Sequence, residues 1–299
     1  MKLTVSEPAQ LPGGDLLEGI TYDDRNKTLY YINIVNGSIH VIPHDSAPFE
    51  IKVDKSIGVI GLTTTPGVLI AGVHTKLVTV DVATGKITEL LAYPDGNVVD
   101  GYQLRSNDGS VSPDGAFWVG TMVDGSGSPS IGSLYRYTHL DGLVKQWGGS
   151  AIANGINWDL KRGKMYWTDS ATHCVFSYDW DVIENKVDAA SKKVFYRDDL
   201  GFEPDGSCLD TEGNLYVAVY GRGQVRRVNP QGFVDLEIDL PNKYVTCCVF
   251  GGDDYSDLYI TTAKNGQEGG LGGRIFIANL KAVGARGKGK NIFKLQAEV

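Results

Sequence analysis

A chain of 299 residues, 42% of them hydrophobic, is long enough to bury a sizeable core without disulfides. Its sparse cysteines, Cys174, Cys208, Cys247 and Cys248, contain no Cys-x-x-Cys pair, which excludes a disulfide scaffold and predicts buried thiols. A formal net charge of −8 argues against a nucleic-acid partner, and the absence of a signal-peptide core or a long apolar run predicts a soluble, cytoplasmic protein with no membrane partner.

Along the chain, short β-type runs alternate with polar turn clusters. The first unit places strands over 27–31 and 37–42, and the second over 67–73, 76–82 and 86–90. The third has 116–121, 133–137 and 143–147, and the fourth 164–168 and 174–178. The fifth has 214–219, 224–228 and 233–238, and the sixth 257–261 and 274–280. Turns such as Pro113-Asp114-Gly115 and Asp210-Thr211-Glu212-Gly213 separate them. The leading strands start roughly 40 to 50 residues apart, the period of propeller blades. The expectation is therefore an all-β fold, a six-bladed β-propeller forming one domain over 1–299.

Three segments are less regular. Either residues 3–6 or the tail 292–296 could supply the strand that closes the ring. Residues 181–193 read as an inserted loop or a turn of helix. The stretch Gly284–Lys290 matches part of a P-loop, but Asn291 stands where Ser or Thr is needed, so it reads as a flexible basic loop. No Gly-x-Ser-x-Gly elbow is present, and the five histidines lack zinc-type spacing.

Four polar motifs read as turns of the repeat: Leu17-Glu18-Gly19-Ile20, Arg105-Ser106-Asn107-Asp108-Gly109, Ala153-Asn154-Gly155-Ile156-Asn157 and Glu203-Pro204-Asp205-Gly206. Taken alone, Asn-Gly and Asp-Gly are ordinary turn formers, and a lone glutamate is usually solvated. Taken together they recur with the blade period, just before or within a predicted inner strand. Residues at one end of the inner strands converge on the propeller axis. Two carboxylates converging there would repel each other unless one is protonated or a cation lies between them. Glu18, Asn154 and Asp205 therefore predict a site for a hard divalent cation in the central channel.

The chain resembles the senescence-marker/gluconolactonase group, which includes regucalcin-like lactonases and luciferin-regenerating enzymes. The resemblance covers nearly the whole chain and rests on several motifs in order. They include Gln103-Leu104-Arg105-Ser106-Asn107-Asp108-Gly109, Phe117-Trp118-Val119-Gly120-Thr121-Met122 and Gly132-Ser133-Leu134-Tyr135. They continue with Asn154-Gly155-Ile156-Asn157-Trp158, Met165-Tyr166-Trp167-Thr168-Asp169-Ser170, Pro204-Asp205-Gly206 and Thr246-Cys247-Cys248-Val249-Phe250-Gly251-Gly252.

That resemblance implies one divalent metal ion (calcium, zinc, magnesium, manganese or ferrous iron) held by Glu18, Asn154 and Asp205. It implies substrate contacts from Arg105 and Asn107, and makes Asp205 the general base. The family's first motif usually reads Gly-Glu-Gly-Pro, and here it is Leu17-Glu18-Gly19-Ile20, so the wall beside the metal is expected to differ. An acidic substrate contact found after Gly-Thr-Met in some relatives is replaced here by Gly125, with Asp124 adjacent. The implied activity is metal-dependent opening of a sugar lactone, whose hydroxyls would suit a polar channel mouth. The alternatives are a hydrolase of another ester or phosphoester on the same scaffold, or a non-enzymatic propeller that binds divalent ions.

Overall fold

The computed structural model describes residues 1–295 apart from 54, 126–128 and 267–269. Gln296, at the end of the candidate closing strand, lies outside the described residues. Six antiparallel sheets follow one another along the chain. Their first strands are Leu17–Asp23, Ile57–Leu62, Tyr102–Val111, Ala153–Asp159, Glu203–Leu209 and Val245–Gly251. Each first strand packs against the first strands of the blades before and after it, and the last packs against the first. The result is a six-bladed β-propeller around a central channel, as the spacing predicts.

Packing between blades explains the sequence pattern. Each of the six hydrophobic clusters lies between two neighbouring blades. Inner and middle strands are therefore covered on both faces. Phe117–Val123 is buried at every position, and so is Thr28–Asn33. Such strands read as continuous β-branched and aromatic runs rather than alternating ones. The outer strand Ile87–Ala92 has solvent on one side and is largely exposed. The strands that lead each predicted unit are thus the second of each blade, and the innermost strand precedes the polar turn.

The ring closes differently from either expectation. The N-terminal strand Lys2–Thr4 pairs in parallel with Val234–Asp239, on the outer edge of the fifth blade. The chain then passes the sixth blade, where the Ala9 amide donates to the Ile275 carbonyl at 2.8 Å, before entering the first. The sixth blade has three strands among the described residues. First and sixth blades are joined by a bridge between Leu16 and Ala263 and by Thr246 Oγ1 donating to the Leu17 carbonyl at 2.6 Å. Among the described residues neither terminal segment supplies a fourth strand to the sixth blade.

Residues 181–193 are not an inserted loop or helix. They complete a long hairpin between Cys174–Asp181 and Lys186–Arg197, whose extra length is absorbed by register shifts. The segment Gly284–Lys290 is also no free loop. The tail crosses one end of the channel, with the Thr211 amide donating to the Arg286 carbonyl at 2.8 Å and Asn291 Nδ2 to the Val111 carbonyl at 2.9 Å. Phe293 is fully buried against Phe117 and Tyr137. The four cysteines are buried and free, as predicted.

Candidate active site

All six inner strands break register at one place: between Glu18 and Thr21, Ile57 and Val59, Ser106 and Gly109, Asn154 and Ile156, Pro204 and Ser207, and Val245 and Cys247. A β-bulge bends its strand and re-aims a side chain. The four polar motifs are these bulges, not turns between strands. Gly155 and Gly206 do not adopt positive φ. They are glycine because the neighbouring inner strand is too close for a side chain. A Cβ on Gly155 would lie 2.8 Å from the Asp205 carbonyl oxygen, and one on Gly206 2.5 Å from Cys247 Sγ.

A bulge leaves an amide out of the ladder, and the preceding carboxylate can take it. The Gly19 amide donates to Glu18 Oε2 at 2.8 Å and the Gly109 amide to Asp108 Oδ1 at 2.7 Å. The Gly206 amide donates likewise to Asp205. Each carboxylate is thereby fixed close to its own backbone.

One pocket of about 230 Å³ at the open end of the channel brings together Glu18, Arg105, Asn107, Asn154 and Asp205, the five residues singled out by sequence. Arg105 Nη1 donates to Asn107 Oδ1 at 2.7 Å, and Asn107 Nδ2 donates to Asn154 Oδ1 at 3.0 Å. Asn154 Nδ2 donates to Ser170 Oγ at 2.8 Å, and Ser170 Oγ donates to the Pro204 carbonyl at 2.6 Å. The chain of bonds fixes which end of each amide is which. It leaves one lone pair of Asn154 Oδ1 for another partner.

The electrostatics favour a cation. Burial, reinforced by the charge of Asp108, pushes the Glu18 carboxyl up to about 8. Asp205 is pushed well above the usual carboxylate range by burial and then by Glu18, Asp108 and Glu203. The Arg105 charge offsets part of this: it lines the same pocket and lowers the Glu18 carboxyl, while its Nε lies 3.5 Å from Asp124 Oδ1. Two carboxylates and an amide oxygen crowded into one pocket are a donor set that fits a divalent cation. Among the described residues no three histidine, cysteine, aspartate or glutamate side chains form a ligand group.

Asp108 takes a different place. It faces the channel below the pocket, beside Lys290 of the C-terminal tail. Burial raises its carboxyl to about 6, against the opposing pull of the Gly109 amide and the Lys290 charge. Sequence reading passes over three participants. Ser170 orients Asn154, Glu203 lines the pocket with a carboxyl raised by burial, and Tyr220 forms a wall near Asp205. Glu203 and Ser170 both belong to the quoted motifs, and an inner-strand reading of Glu203-Pro204-Asp205 would place Glu203 in the pocket. Nothing in the sequence marks Tyr220. The lining also contains apolar side chains, Leu16, Ile34, Met122, Ile152 and Tyr220, beside the polar groups.

The family model for the SMP-30/Gluconolactonase/LRE-like region matches residues 16–264. Regucalcin of Danio rerio is 30% identical over 256 residues, covering 84% of this chain and 84% of its own. A Bacillus subtilis protein with the provisional name sugar lactone lactonase YvrE is 31% identical over 281 residues, covering 89% of this chain and 92% of its own. Among solved structures, a luciferin-regenerating enzyme superposes with a TM-score of 0.85 at 26% identity, over 95% of this chain and 97% of that one.

Proposed function

Because this chain belongs to the SMP-30/gluconolactonase/LRE-like family, we propose that it is a metal-dependent hydrolase that opens the lactone ring of a sugar acid. The observation that carries the reading is the convergence of Glu18, Asn154 and Asp205, from three different blades, on one pocket. Their oxygens would hold the ion. An all-oxygen set suits hard cations such as calcium, magnesium or manganese, and also admits zinc or ferrous iron. A divalent ion held there would polarise the lactone carbonyl and offset the negative charge that builds on its oxygen during attack.

The chain's own residues supply the rest. Arg105 and Asn107 bind the lactone and its hydroxyls, Arg105 as donor and Asn107 as acceptor through the remaining lone pair of Oδ1, since its Nδ2 hydrogens go to the Ala153 carbonyl and Asn154 Oδ1; their mutual hydrogen bond keeps both in a fixed orientation. Asp205 accepts a proton from the water that attacks the carbonyl carbon. When the bond from that carbon to the ring oxygen breaks, the same proton passes to the departing ring oxygen, and the product is the open hydroxy acid. Ser170 holds the Asn154 amide, so that donor needs no reorientation when the ion binds. No helix among the described residues is long and apolar enough to cross a membrane, and the proposed partner is a small-molecule lactone.

A panel of five- and six-membered aldonolactones, with and without added divalent ion, tests this reading against a no-enzyme control at the same pH. Ion-dependent opening faster than the control is expected. No acceleration of any member would remove the lactonase reading.

A further inference from the structure

Part of the pocket's lining is apolar. Leu16, Ile34, Met122, Ile152 and Tyr220 line it beside the polar groups. Several of them are held by backbone bridges between neighbouring blades: Leu16 to Ala263, Met122 to Ile152 and Tyr220 to Tyr244. The wall is therefore part of the rigid scaffold, not a mobile loop.

On one side the wall is breached. A second cleft of about 490 Å³ shares Leu16 and Tyr220 with the pocket and continues outward over Val35, Ala263 and the stem of Lys264. Among the described residues the charges lining this cleft are those of Lys264 and Asp15, paired with each other at 2.9 Å, and Asn265 and Gly266 complete the lining. Asn36 Nδ2 also donates to Asp15 Oδ2 at 3.0 Å. Val35 is 61% exposed at the cleft's edge, an apolar side chain without a partner beside a catalytic pocket. A free sugar lactone, with hydroxyls on every side, would leave this surface wet and its own hydroxyls unpaired against it.

We propose that the lactone taken by this enzyme carries an apolar arm, alkyl or aryl, which crosses Leu16 and Tyr220 and lies in the side cleft against Val35 and Ala263. The inference rests on the lactonase reading for the ring and adds to it the class of substituent. The floor binds the ring through Arg105 and Asn107, and the side cleft selects the arm.

Matched pairs decide it: γ-butyrolactone against γ-nonanolactone, and δ-valerolactone against δ-decalactone, alongside the aldonolactones. Burying a methylene is worth a factor of about four. A five-carbon arm that is only partly covered should raise kcat/KM about tenfold or more. Val35→Asp, at an exposed position that can accept the change, should lower the ratio of armed to unarmed substrate about tenfold. Armed substrates that are turned over no better than their parent rings, in a protein that does open aldonolactones, would overturn the inference and leave the lactonase reading intact. If no lactone is turned over, calorimetric binding of 4-hydroxynonanoate against 4-hydroxybutyrate decides. A preference for the longer acid that Val35→Asp removes supports the cleft, and equal binding overturns it.

Discussion

The six inner strands carry the same backbone device and use it in two ways. In the first, third, fourth and fifth blades the bulge presents Glu18, Asn107, Asn154 and Asp205 to the pocket. In the second and sixth it presents Gly58 and Thr246 to neighbouring strands. Gly58 lies against the carbonyls of Ser106 and Asn107, and Thr246 Oγ1 reaches across to the first blade at 2.6 Å. The contrast shows that the bulge is architecture. Chemistry enters only through the side chain placed on it, so mutation should separate the two uses.

The largest effect is expected where a bulge side chain moves a proton. Asp205→Asn keeps an oxygen for the ion but cannot accept a proton at neutral pH. Lactone opening should fall about 10²-fold or more with the ion still bound. Near-normal turnover would place the base elsewhere. Arg105→Ala should follow, with a loss of roughly 10- to 100-fold, the order expected for a charge-assisted contact, and metal content unchanged. Loss of the ion together with activity would give Arg105 a structural role instead.

The other two blades should answer in stability. Gly58→Ala forces a side chain against the Ser106 backbone, which should cost about 1–3 kcal/mol. Thr246→Val should cost about 1–3 kcal/mol by removing two buried hydrogen bonds, with the Leu17 carbonyl and with Thr261 Oγ1. Denaturant unfolding measures both, and the kcat of the folded Thr246→Val fraction should stay near wild type. A selective loss of kcat in Thr246→Val would erase the distinction between the two sets of blades.

A smaller effect tests the electrostatics of the ligand set. The folded Glu18 carboxyl sits at about 8, above its ordinary 4.5. Between those values the metal-free folded chain holds a proton that the unfolded chain has lost. Stability from this group is complete below about pH 4.5 and disappears as pH rises through about 8. In chelator, the thermal midpoint should therefore drop by several degrees from pH 5 to pH 8.5, at roughly 2–4 °C per kcal/mol. Saturating divalent ion should shrink that drop, because it takes the proton's place between the carboxylates. A midpoint that rises with pH in chelator would contradict the crowding of carboxylates in the pocket.

Much of this was legible in the sequence, for physical reasons. Strands such as Leu215–Tyr220 and Lys164–Asp169 fall where their β-branched and aromatic runs place them, because these strands are buried on both faces. Glu18, Asn154 and Asp205 were singled out because blade period and residue chemistry agree, whereas Arg105 and Asn107 followed from the family resemblance. What misled was glycine. Asn154-Gly155 and Asp205-Gly206 carry strong turn signals, yet their glycines serve close approach of adjacent strands, a property of the closed ring that no local pattern encodes. The basic tail misled in the same way: Gly287 would collide with Phe250 if it bore a side chain, so its small residues reflect packing and not freedom. The apolar lining was hidden because Leu16, Met122 and Tyr220 are far apart in sequence and read as ordinary core.

The account stands on one ion held by donors from three blades. Metal analysis by calorimetric titration of the metal-free protein tests this most directly, comparing wild type, Asp205→Ala and Glu203→Gln. Glu203 lines the same pocket two residues from Asp205 and is left out of the proposed donor set. One ion per chain in wild type and in Glu203→Gln, with none bound tightly by Asp205→Ala, is the predicted result. Equal tight binding by wild type and Asp205→Ala would contradict it.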